Sequence, residues 1–119
     1  MRAFVVEKIG DKEFKSGIQD ISTPKCGENE IVIKVTYSSL NYKDALSSVG
    51  NPGVTRNFPH TTGIDVAGTV YESTSSVFKV GERVLVTGYD MGMNTNGGHA
   101  QFVKVPAAWV ARIPDSISD

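Results

Sequence analysis

Ile31-Val32-Ile33-Lys34-Val35-Thr36-Tyr37-Ser38-Ser39 runs directly into Leu40-Asn41-Tyr42-Lys43-Asp44, and the change of pattern between the two decides the fold. In the first part Ile31, Ile33, Val35 and Tyr37 share one face, while Lys34, Thr36 and Ser38 share the other. Successive side chains of a strand point to opposite sides, so this period of two predicts a half-buried β-strand. In the second part the alternation stops. Asn41 is a favoured N-cap, because its side-chain oxygen can accept from an N–H of the first helical turn. Asp44, three residues on, puts an acid near the positive end of the helix dipole. Ala45 and Leu46 continue the helix and Gly50 stops it. A helix of about two turns does not hold in water by itself, so it must pack on the sheet.

Working outward, period two recurs over residues 2–7, 64–73, 84–87, 98–105 and 109–113, with a weaker return strand over 13–21 after a Gly10-Asp11 turn. Gly68 lies inside one of these strands, where glycine marks a bulge or a close backbone approach. Pro24-Lys25-Cys26-Gly27 is a turn cluster. Two loops, 50–62 and 88–98, are polar and glycine-rich. Many short strands separated by turns predict a mainly β domain, a small barrel or sandwich.

The 119 residues suffice for one domain, and the 39% apolar content supports one core. Net charge is −1, from 12 basic and 13 acidic residues that are mixed along the chain. No basic stripe tracks a phosphate backbone, which excludes nucleic acid as the expected partner. No run of about 18 apolar residues is present, so no membrane span is expected. The start, Met1-Arg2-Ala3-Phe4-Val5-Val6, is too short in apolar residues for a secretory leader. Cys26 is the single cysteine and has no partner for an internal disulfide. These features point to the cytoplasm.

Metal ligands are sparse. Cys26, His60 and His99 are the only thiol and imidazoles, and no Cys-x-x-Cys or His-x-x-x-His occurs. Cys26 reads as a turn thiol, and the histidines read as loop residues. Gly63 and Gly68 have the glycine spacing of a phosphate loop, but Thr69-Val70 follows where Lys-Ser/Thr is needed, and no Gly-x-Gly-x-x-Gly is present. No serine lies in Gly-x-Ser-x-Gly. What remains is the polar cluster Asn41-Tyr42-Lys43-Asp44 after the strongest strand. It is either a plain helix cap or a set of side chains presented to a cleft.

The order and spacing of Ser39-Leu40-Asn41-Tyr42-Lys43-Asp44, Phe58-Pro59, Gly63-Ile64-Asp65-Val66-Ala67-Gly68-Thr69-Val70, Val80-Gly81-Glu82-Arg83-Val84 and Gly97-Gly98-His99-Ala100-Gln101-Phe102 resemble the N-terminal catalytic domain of the medium-chain dehydrogenase/reductase superfamily. The resemblance covers essentially the whole chain and implies a GroES-like, partly open β-barrel with one or two short helices, spanning residues 1–119. Zinc-dependent alcohol dehydrogenases of that superfamily carry a Cys where this chain has Asn41, and a His-Glu pair where it has Ile64 and Asp65. Two metal ligands are thereby lost, and the four-cysteine lobe of the structural zinc is missing as well. Leu40-Asn41-Tyr42-Lys43-Asp44 with Arg56-Asn57-Phe58-Pro59 is most similar to the zinc-independent acrylyl-CoA reductase and quinone oxidoreductase branch.

The resemblance implies NADPH as cofactor, no zinc, a Rossmann domain following Asp119, and a homodimer for the full-length form. It implies hydride transfer to an activated alkene: an enoyl thioester such as acrylyl-CoA, an enone or a quinone. Asn41 and Tyr42 are the candidates for holding the nicotinamide carboxamide or the substrate carbonyl. Tyr42 is also a candidate proton donor, and Asp44 would orient both. Arg56 and Tyr89 are the candidate substrate-binding residues. The isolated domain is expected to be inactive. The alternatives are a non-enzymatic GroES-like assembly module and a zinc-type alcohol dehydrogenase.

Overall fold

The computed structural model describes residues 1–117. Strands β1 (Arg2–Lys8), β2 (Phe14–Asp20) and β4 (His60–Thr61) form a three-stranded sheet in the order β2-β1-β4. Strands β3 (Glu30–Ser38), β5 (Asp65–Ser73), β6 (Arg83–Thr87), β7 (Phe102–Pro106) and β8 (Ala111–Arg112) form a five-stranded sheet in the order β7-β3-β5-β6-β8. All pairings between these strands are antiparallel. The segment before β7 joins the two sheets. Phe4 N–H donates to the His99 carbonyl at 2.8 Å, Gln101 N–H to Arg2 at 3.1 Å, and Val35 N–H to Gln101 at 2.9 Å. The outcome is a mainly β, partly open barrel with one α-helix, α1 (Tyr42–Ser48).

The decisive strand behaves as expected at its start and departs from expectation at its end. Ile31 and Ile33 are fully buried in the core with Val66, Val84, Val86 and Val103. Val32 is buried too, so this part of β3, flanked by β5 and β7, is covered on both faces. Tyr37, expected on the core face, is 56% exposed. The register slips between Val35 and Tyr37, which pair with the adjacent residues Gly68 and Ala67. The extra residue breaks the alternation and sends the strand end outward. Gly68 marks a close approach at that point: a Cβ there would lie 2.1 Å from the Lys34 carbonyl oxygen.

Three other expectations need correction. Residues 98–101 carry no regular strand, since they bridge the two sheets with single bonds, and β7 begins only at Phe102. Residues 107–109 form a short 3-10 helix (Ala107–Trp109), leaving β8 just two residues of the expected strand. The two-residue β4 was not anticipated, because it lies in a loop and is too short to show a period.

Candidate active site

The bulge in β3 delivers Ser39, Leu40 and Asn41 to the surface, where α1 starts. Asn41 is the N-cap, with extended backbone angles, and stands in a capping box with Asp44. The well-formed bond of that box is the one from Asn41 N–H to Asp44 Oδ2, at 2.8 Å. Asp44 Oδ1 accepts from Gly63 N–H at 3.2 Å, so this carboxylate, only 4% exposed, ties the helix start to the turn before β5. Gly63 is needed there. Its φ is +114°, and a Cβ would lie 2.6 Å from the backbone nitrogens of both Gly98 and His99.

The Asn41 side chain is held from behind. Its Nδ2 donates to Ser39 Oγ at 3.1 Å and to Asp65 Oδ2 at 3.3 Å. Asp65 Oδ1 in turn accepts from Ser39 Oγ at 2.7 Å and Ser39 N–H at 3.2 Å. Both amide protons of Asn41 are therefore engaged, and its Oδ1, which faces Asp44 N–H in the capping box, keeps a further lone pair as an acceptor.

His99 closes the other side. Its Nε2 donates to the Ser39 carbonyl at 2.9 Å, and its Nδ1 is 2.7 Å from Thr62 Oγ1. A carbonyl only accepts, so Nε2 carries a proton. Asp44 Oδ2 lies 3.9 Å from the same Nε2. Leu40, Asn41, Asp44, Thr62 and His99 line an open cleft of about 380 Å³, with Phe4 at its wall.

Of the residues singled out by sequence, Asn41 and Asp44 meet in this cleft. Tyr42, at the first turn of α1, is not among the residues lining the cleft; it is 79% exposed, and its hydroxyl has no partner among the described residues. Arg56 and Tyr89 lie elsewhere. Arg56 Nε donates to the Pro52 carbonyl at 2.9 Å. Tyr89 stacks on Trp109, with ring centroids 5.4 Å apart and planes 8° from parallel. Sequence reasoning named Asp65 and Ser39 only within motifs and His99 only as a loop histidine, and it passed over Thr62. Their roles depend on contacts across 24 to 60 residues, which no local pattern carries.

Cys26 N–H donates to Glu72 Oε1 at 2.9 Å, and burial together with the Glu72 charge pushes its thiol pKa up. Buried His60 donates to the Gly92 carbonyl at 3.0 Å, and burial lowers its pKa. Among the described residues, no three side chains of His, Cys, Asp or Glu converge as metal ligands.

Residues 27–115 match the family described as the alcohol dehydrogenase GroES-like domain. The chain belongs to that family. It is 38% identical over 117 residues to the Escherichia coli (strain K12) protein named probable acrylyl-CoA reductase AcuI, an alignment covering 98% of this chain and 36% of that protein. Its fold matches the crystal structure of the YhdH oxidoreductase from Salmonella enterica in complex with NADP, with a TM-score of 0.89 and 36% identity over 99% of this chain and 36% of that one. It also matches Bacillus subtilis YhfP with NAD bound, with a TM-score of 0.88 and 33% identity over 98% of this chain and 35% of that one. This GroES-like domain thus spans about a third of the length of the curated relatives it matches. Among the described residues no helix is long and apolar enough to cross a membrane.

Proposed function

We propose that this domain is the substrate side of an NADPH-dependent oxidoreductase that reduces activated alkenes without zinc. The observation that carries this reading is the state of Asn41. It stands where zinc-type relatives are expected to place a ligand, and the fold commits its amide protons to Ser39 and Asp65. Its oxygen faces Asp44 N–H in the capping box, and the second lone pair suits the N–H of a nicotinamide carboxamide. The 38% identity to the acrylyl-CoA reductase and the nicotinamide nucleotides in the YhdH and YhfP structures support the same cofactor class. The cofactor supplies the hydride when bound. Most of its affinity would come from a Rossmann domain joined to this one.

With the Asn41 donors engaged, the carbonyl of the substrate needs another donor. The Tyr42 hydroxyl is exposed and unbonded among the described residues, so it is free to hold an enolate-like oxygen or to deliver a proton. Asp44 acts through position. By binding Asn41 N–H and Gly63 N–H, it fixes the helix start that carries both side chains. Leu40 presents an apolar surface beside them, 88% exposed in this domain. Alcohol oxidation, by contrast, relies on a metal to lower the pKa of the hydroxyl.

The test is NADPH oxidation by this chain joined to its cofactor-binding domain. Acrylyl-CoA or a small enone should support turnover, whereas a primary alcohol with NADP should not. Alcohol oxidation together with about one tightly held zinc per chain would overturn the reading.

A further inference from the structure

An asparagine amide can face a cleft with either end, and in this structure the choice is made from behind. An ionised carboxylate only accepts hydrogen bonds. Asp65 Oδ1 therefore takes the Ser39 hydroxyl proton, at 2.7 Å. The Ser39 oxygen then has only lone pairs to offer, and it accepts one Asn41 amide proton at 3.1 Å. Asp65 Oδ2 accepts the other at 3.3 Å. Turning the amide over would aim its oxygen at a carboxylate and at a hydroxyl lone pair, leaving three acceptors facing one another without a proton.

We propose that Asp65 is a positioning residue for cofactor recognition. With Ser39 it holds the Asn41 nitrogen inward, so that the cleft is offered an acceptor matched to the N–H of a nicotinamide carboxamide. This rests on the reading of Asn41 as a cofactor contact. Asp65 starts β5 opposite Thr87, and its backbone is set by the sheet rather than by the site. That anchoring lets it act as a fixed reference for the mobile amide. A neutral amide in its place could donate as well as accept, and the polarity of Asn41 would no longer be dictated.

Two measurements test this. In the 119-residue chain, the side-chain amide protons of Asn41 are followed by nitrogen–proton NMR. Both should be protected from exchange in the wild type and should lose that protection in Asp65→Asn. In the form carrying a cofactor domain, affinity is compared for NADPH and for its 3-acetylpyridine analogue, which has a carbonyl but no N–H to donate. The wild type should favour NADPH by about 3- to 10-fold, the usual worth of one hydrogen bond. Asp65→Asn should bring the ratio toward one, and Asp65→Glu should restore part of it. A merely structural role would weaken both ligands alike and leave the ratio unmoved. An altered ratio in Asn41→Ala, with unchanged ratio and amide signals in Asp65→Asn, overturns the proposal alone. An Asn41→Ala protein that keeps the wild-type ratio overturns the cofactor reading and the proposal with it. Should Asp65→Asn fail to fold, Ser39→Ala serves instead. Asp65 must then keep one Asn41 proton protected, and free exchange of both overturns the proposal.

Discussion

The two ends of strand β3 are built on different physics. At its start, Ile31, Val32 and Ile33 are fully buried between β5 and β7. At its far end, past the bulge, Tyr37, Leu40 and Tyr42 are exposed, and order comes from hydrogen bonds among Ser39, Asn41, Asp44 and Asp65. The first end is held by removal of apolar surface from water. That is a large, non-directional contribution spread over many contacts. The second is held by a few directional bonds, each worth about 0.5–1.5 kcal/mol, or about 1.5–3 where a charge takes part. The fold depends on the first end, while the proposed chemistry depends on the second.

Substitutions should separate the two ends by size of effect. Ile33→Ala leaves a cavity in the core and should lower unfolding free energy by about 2–5 kcal/mol. An unfolding free energy lowered by less than a quarter of that, read from a denaturant titration, would erase the distinction. Asp44→Ala lies at the junction, where it removes a buried acceptor from Asn41 N–H and Gly63 N–H. Its cost should be smaller, about 1–3 kcal/mol, read from the same titration.

A smaller effect is carried by pH. His60 is buried, and burial is the main cause that lowers its pKa below the ordinary 6.5, with the hydrogen bond to the Gly92 carbonyl and the Asp90 and Asp44 charges pulling the other way. The unfolded chain therefore takes up a proton at higher pH than the folded one does. The stabilisation from neutral His60 is fully present above about pH 6.5 and is lost as pH falls from there toward the lowered folded value. Thermal midpoints measured from pH 7.5 down to 5 should fall in the wild type and flatten in His60→Gln. Parallel curves would show that His60 is not the titrating group.

The legibility of the sequence follows the same division. The buried start of β3 and the strands β5 and β6 were visible because apolar period two repeats over several residues, as in Val66, Val70, Val84 and Val86, whereas their pairing was not. Gly68 announced a close approach because a strand-interior glycine has few other reasons to exist. The bulge that turns Tyr37 outward was invisible, since it depends on which residue of β5 lies opposite. Asn41 and Asp44 were legible as a capping pair, which is a local pattern. Their partners Asp65, Gly63 and His99 come from other elements, and only the closed fold brings them together. Arg56 and Tyr89 show the converse: loop residues of suitable chemistry that the fold directs to Pro52 and Trp109.

In the proposed reductase, the polar segment past β3 takes the place that a metal has in zinc-type relatives. The most direct measurement is steady-state reduction of acrylyl-CoA by Tyr42→Phe and Asn41→Ala, each joined to its cofactor-binding domain, with Cys26→Ser as the control. Tyr42→Phe should lower kcat by about 10²–10³, the usual loss for one donor to a developing oxyanion. Asn41→Ala should act mainly on NADPH affinity, by about 3- to 10-fold. Cys26→Ser should match the wild type. Full activity with unchanged NADPH affinity in both site variants would reduce the Asn41-Tyr42 cluster to a helix cap and contradict the account.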